Sequence, residues 1–310
     1  MQKAYVTALY ELMKADRRVI SCLSDSGTDY DELMAREFPR QVVNFGICEN
    51  NQVAASAGMA AAGKLPFVYT TGAFLAYRSY EFLRDDICLQ NRNVKLVGMG
   101  TGVAWSTLGP THHTTEDLAL LRALPNLTVL SPATPRELAA AVREAYDHQG
   151  PIYIRMGMSG EAEYFDEGRE FGIGKSVVVR EGGDLTVFTT GAILDQVMQA
   201  AERLQEAGVS ARVIHLHSIK PLDEENILLE CGRQPQLFTV EEHNVLGGIG
   251  TAIADLCGTH GVPIRLHKIG LRDAFAEGFG TRPQVLRQNR LDGDGIFKQI
   301  LDIATKWLPR

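Results

Sequence analysis

The sequence of 310 residues is short of several features that would classify a protein at once. It has no apolar run long enough for a bilayer: the longest nearly apolar stretch, 53–63, is rich in Ala and Gly and far below the ~20 residues of a spanning helix. The opening MQKAYVTALYELMKADRR spreads its charges through a helical pattern, so neither a membrane span nor a secretion signal is expected there. Cations are not in excess: 31 Lys and Arg face 38 Asp and Glu, a net charge of −7, and a nucleic-acid backbone gains no general attraction for such a surface. The five cysteines (Cys22, Cys48, Cys88, Cys231, Cys257) form no CxxC pair and have no His at zinc-finger spacing, which fits a reducing cytoplasm. Cys22, Cys48 and Cys88 lie among apolar neighbours and are expected as buried thiols. A complete dinucleotide fingerprint is missing too. Gly98-x-Gly100-x-Gly102 continues with Val103, and Gly248-Ile-Gly250 has Ile253 where a third glycine belongs, so the latter reads as a helix start packed closely on a sheet.

What is present is a well-cored composition, 45% apolar and 22% charged, in a chain long enough for two domains. A helical pattern over 3–15 precedes a buried strand at 18–23. Strand-like runs at 41–44, 66–70, 94–97, 127–130 and 151–154 then alternate with helical stretches at 50–63, 74–89 and 135–148. Such alternation predicts an α/β fold with a parallel sheet covered on both faces. Residues 157–174 are rich in Gly and charge and read as a linker. A second, smaller α/β domain, 175–310, alternates strands at 184–189, 211–215, 236–240 and 263–268 with helices at 193–205, 224–230 and 249–257.

Three segments of the first domain, 1–156, could carry chemistry. In Asn44-Phe-Gly-Ile-Cys-Glu49-Asn-Asn a strand ends, a glycine turns the chain, and Glu49 opens a long helix, where the helix dipole favours a carboxylate. Open α/β sheets bind ligands at that carboxyl edge. In the second, Phe74, Tyr77 and Tyr80 with Arg78 could form a wall for a planar ring. The third, Gly109-Pro-Thr-His112-His113-Thr-Thr-Glu-Asp117, sets two adjacent histidines before a helix. Neighbours in sequence point different ways, so one catalytic and one structural His is expected rather than a metal pair, with Thr114 or Thr115 capping the helix.

Taken together and in this order, these segments resemble the pyrimidine-binding domain of thiamine-diphosphate enzymes of the transketolase family. The likeness is to the C-terminal half that forms the small subunit of split transketolases, and the same half of deoxyxylulose-phosphate synthase is also close. FGICENN is similar to the family's Gly-Ile-x-Glu-x-Asn, AFLAYRSYEFLR to its Phe and Arg-aromatic-Glu helix, GPTHH to its Gly-Pro-Thr-His-Gln, and RALPNLTVLSPAT to its Leu-Pro-Asn strand. HLHSIKPLDEE and TVEEHNVLGGIG resemble its C-terminal domain, so the likeness runs from about residue 3 to 275.

The resemblance implies that Glu49 hydrogen-bonds the pyrimidine N1′ of thiamine diphosphate, that Phe74 stacks on that ring with Tyr77, Tyr80 and Arg78 around it, and that His112 donates to a developing oxyanion. His113 and Arg155 would face the substrate, and His243 would be structural. The family's diphosphate-binding domain would then sit on a separate large subunit that supplies the Mg²⁺ ligands, in an α2β2 assembly. Gly293-Asp294-Gly295 is similar to the opening of that domain's metal motif, but too few residues follow it to reach the motif's Asn, and a turn is expected. Departures concern the substrate: Leu108 stands for the family's Asp, Gly100 for an upstream His, Met158 for a phosphate-binding Arg that Arg155 could replace, and His113 for Gln. The activity implied is transfer of a two-carbon ketol or acyl unit to an aldehyde. The alternatives are the β subunit of a 2-oxo-acid-decarboxylating enzyme and a non-catalytic scaffold.

Overall fold

Fully buried five-residue strands such as β1 (Val19–Leu23) need cover on both faces. The computed structural model, which describes residues 1–25, 29–158, 162–166, 168–169, 171–234 and 236–306, supplies that cover with helices. In the first half, α1 (Gln2–Ala15) precedes β1, followed by α2 (Asp29–Glu37), β2 (Val42–Asn44), α3 (Glu49–Ala61), β3 (Leu65–Thr71), the short α4 (Tyr80–Phe82), β4 (Lys95–Met99), α5 (Asp117–Arg122), β5 (Thr128–Leu130), α6 (Pro135–Asp147) and β6 (Ile152–Met156). Thr134 caps α6 by accepting from the Glu137 amide, and Pro135 fills the first position, where an amide would have no partner.

The second half runs β7 (Val177–Arg180), β8 (Leu185–Thr189), α7 (Leu194–Glu206), β9 (Ala211–His215), β10 (Ser218–Lys220), α8 (Glu224–Arg233), β11 (Leu237–Asn244), α9 (Ile249–Thr259), β12 (Leu266–Leu271), α10 (Arg282–Gln288) and α11 (Gly293–Ala304). Two sheets result, ordered β10-β5-β6-β4-β3-β1-β2 and β12-β11-β8-β9-β7. Both are parallel except for one edge strand each, β10 against β5 and β7 against β9. Among the described residues no helix is long and apolar enough to cross a membrane.

The α/β class and the two-sheet organisation agree with the sequence, and the described residues of 157–174 carry no helix or strand. Several details differ. The stretch 74–89 is not one regular helix: wide π turns at Phe74–Arg78 and Leu83–Cys88 flank a single α turn, a feature frequent at functional sites. Gly293-Asp294-Gly295 is the first turn of α11 rather than a free turn, because Asp292 caps that helix by accepting from the Gly295 amide at 3.0 Å. Cys48 is exposed, ahead of α3, while Cys22 and Cys88 are buried as expected. The last strand begins three residues later than the pattern suggests, at Leu266.

One apolar cluster lies between the sheet and α1 and α6, around Leu9, Phe67 and Val142. On the opposite face, the cluster around Val53, Val68 and Leu118 continues into the second half through Leu216, Ile219 and Ile253. A third fills the second domain, around Val187, Ile193 and Ile296.

Candidate active site

Strands β2, β3 and β4 all deliver their C-terminal ends to one edge of the larger sheet, so the segments that follow them meet there. Glu49 is the first residue of α3 and only 2% exposed. Its Oε2 accepts from Arg78 Nη1 at 3.1 Å, and its Oε1 carries no hydrogen bond among the described residues. Arg78 is more than half exposed, so the contact orients the carboxylate more than it stabilises the fold. Phe74 meets His112 edge to face, ring centres 5.1 Å apart. His112 Nδ1 lies 2.9 Å from the Thr111 hydroxyl, which fixes the ring and leaves Nε2 with no partner among the described residues. Gly72 permits this convergence: a Cβ there would come within 2.8 Å of Thr101 and 3.0 Å of Thr114.

The structure pairs Glu49 with Arg78 and Phe74 with His112 on neighbouring segments, and gives the other four residues read from the sequence different contacts. Tyr77 turns to α5, where its hydroxyl donates to Glu116 at 2.7 Å and accepts from the Glu116 amide at 2.9 Å. Tyr80 donates to the Leu120 carbonyl at 3.2 Å. Both rings line a groove with Pro110 and Phe275. His113 is buried on that same groove with neither ring nitrogen hydrogen-bonded among the described residues, and burial lowers its pKa, which keeps it neutral. Arg155 is engaged by the protein itself in this geometry. It is 4% exposed, pairs with the fully buried Asp117 at 3.0 Å, and donates to the carbonyls of Thr114 (3.1 Å) and Glu242 (2.9 Å). Nor does a threonine cap α5: Glu116 precedes its first residue, and Thr115 donates to the Glu116 side chain at 2.8 Å. Tyr77→Phe is expected to cost about 1.5–3 kcal/mol, as for a hydrogen bond to a charged group, read as a lower urea midpoint.

The glycine-rich look-alikes are filled by the protein itself. Glu242 of β11 accepts from the Val103 amide at 2.7 Å beside Gly102, and Glu241 accepts from Ile249 (2.8 Å) and Gly250 (3.2 Å) at the start of α9. An anionic ligand has no room there. His243 is buried and structural: its Nε2 faces the Ala119 amide at 3.4 Å. Gly100, read from the sequence as standing in place of a histidine, adopts φ +68°, and a Cβ there would lie 2.4 Å from the Trp105 indole nitrogen. That nitrogen is buried without a partner among the described residues. Nothing in the residue pattern points to Trp105, because only the loop's path sets its ring on Gly100.

Two family models match the chain. Residues 1–159 match the transketolase pyrimidine-binding domain, and residues 174–296 match the transketolase C-terminal domain. The chain belongs to the transketolase family. It is 32% identical over 309 residues to a putative transketolase C-terminal section of Methanocaldococcus jannaschii, covering 99% of this chain and 96% of that protein. It is 33% identical to an apulose-4-phosphate transketolase subunit of Phocaeicola vulgatus, covering 98% of this chain and 97% of that one. Among solved structures, a split-gene transketolase described as an inactive β4 tetramer superposes with a TM-score of 0.89 at 33% identity, covering 98% of each chain.

Proposed function

We propose that this transketolase-family chain is the small subunit of a heteromeric thiamine-diphosphate-dependent enzyme that transfers a two-carbon unit to an aldehyde. The observation that carries the reading is the convergence of a buried carboxylate, a flat aromatic face and a histidine with a free nitrogen on one sheet edge. These residues fit the pyrimidine half of the cofactor, while no described residue group offers its diphosphate a cradle, since both glycine-rich turns are occupied by Glu241 and Glu242. Residues 1–156 would bind that half, and 175–310 would serve assembly. A large subunit would hold the diphosphate and Mg²⁺, in an α2β2 complex acting in the cytoplasm.

When bound, thiamine diphosphate supplies the carbon nucleophile that breaks and remakes the bond beside a carbonyl. The chain's own residues prepare it. Glu49 would hold a proton against the ring nitrogen, with Arg78 keeping the carboxylate aimed and the N-terminus of α3 favouring its charge. Phe74 would offer its face to the ring. His112, fixed through Nδ1 by Thr111, would present Nε2–H to a substrate oxygen that gains charge. Leu108, Trp105 over Gly100, and an Arg155 committed to Asp117 remove polar groups that would grip a phosphosugar, which supports a less polar or unphosphorylated substrate.

Reconstitution tests the proposal. The chain alone is expected to show no ketol transfer, and addition of a large subunit carrying the diphosphate-binding domain is expected to produce it. Robust CO₂ release from labelled pyruvate by the same pair would replace ketose cleavage with 2-oxo-acid decarboxylation.

A further inference from the structure

Three buried side chains outside the site above meet where the two domains and their connection touch. Glu137, in the first turn of α6, His215, at the end of β9, and His217 each offer one ligand atom, and the three atoms lie within 4.8 Å of one another. Glu137 Oε2 accepts from the Ala133 amide at 2.6 Å and lies 2.9 Å from His215 Nε2. Its Oε1 lies 3.4 Å from His217 Nδ1. His217 Nε2 faces the Gly172 carbonyl at 2.9 Å, and a carbonyl only accepts, so this nitrogen carries a hydrogen. A neutral His217 then points the lone pair of Nδ1 at a carboxylate oxygen, two acceptors face to face with no hydrogen bond between them. Only a positive species between them relieves this. The separation is long for a charge-assisted hydrogen bond, which runs about 2.7–2.9 Å. For this one pair it matches the ~3.4 Å expected between two ligand atoms held about 2.0–2.1 Å from one tetrahedral ion, while His215 Nε2, at hydrogen-bond distance from Glu137 Oε2, would give up its hydrogen to bind the ion.

We propose that Glu137, His215 and His217 form a binding site for one transition-metal dication, zinc(II) by its two-nitrogen, one-oxygen donor set. The surroundings are those of a metal site: the Gly172 carbonyl orients His217, the Ala133 amide orients Glu137, and Phe171 and Phe165 pack on the two imidazoles with ring centres 4.4 and 6.1 Å away. Glu137 also lines a cavity of about 310 Å³ between α6 and the connection, from which water would supply the fourth ligand. A bound ion would pin α6, β9 and the connecting segment to one point.

The full chain, stripped with a chelator and titrated with Co(II), is expected to develop the intense visible bands of tetrahedral coordination at one ion per chain. Zn(II) is expected to be retained one to one after desalting and to raise Tm by roughly 5 °C. Glu137→Gln and His217→Gln should each abolish the bands, and crystals of the unaltered chain soaked in Zn(II) should show an anomalous peak between the three side chains. A folded chain that gives no tetrahedral bands, or a crystal without that peak, means the positive species is a proton on His217 and overturns the proposal.

Discussion

Glu49→Gln is expected to lower turnover of the reconstituted enzyme by ~10²–10⁴-fold, the range for loss of a positioned acid or base. The amide keeps the shape of the side chain but cannot exchange a proton with a ring nitrogen. Folding should be nearly unaffected, because the partner left behind, Arg78, is more than half exposed and is rehydrated when the carboxylate is gone. The favourable interaction with the start of α3 is worth only about 0.3–1 kcal/mol. Steady-state kinetics together with the elution volume of the complex separate the two effects. Unchanged kcat in an intact assembly would remove Glu49 from the chemistry and favour a scaffolding subunit.

Arg155→Met should instead act on stability, by about 3–5 kcal/mol, the cost of leaving a buried charge without its partner. Asp117 has no exposure, and the substitution strips it of the guanidinium while the Thr114 and Glu242 carbonyls lose their donors as well. Only the Tyr153 hydroxyl, at 2.9 Å, would still donate to that carboxylate among the described side chains. Urea unfolding should show a lower midpoint with an unchanged slope. A raised KM with unaltered stability would mean that Arg155 reaches substrate after all.

The contrast between these residues explains what the sequence could reveal. Glu49, Phe74 and His112 each follow a strand of one parallel sheet, and strand–turn–helix order is written locally, so their placement beyond that sheet edge was legible. The contacts of Tyr77 and Tyr80 with Glu116 and the Leu120 carbonyl were not legible, because aromatic spacing assumes a regular helix, whereas the π turns at Phe74–Arg78 and Leu83–Cys88 shift which side chains share a face. Arg155 finds its carboxylate 38 residues away, and Glu137 meets His215 across 78, separations for which a lone sequence holds no signal. Short or polar elements such as α2, α10 and β10 give too few periodic positions to be recognised.

Strand β10 belongs by sequence to the second half but pairs with β5 of the first sheet, and Lys220 adds bonds to the carbonyls of Arg122 and Leu124. A gene broken between codons 157 and 174 would therefore not yield two sound products. One would display the bare margin of β5, open to pairing with stray chains, and the other a dangling ribbon that has lost its mate. Recombination can exchange these halves with other proteins only as a laced pair.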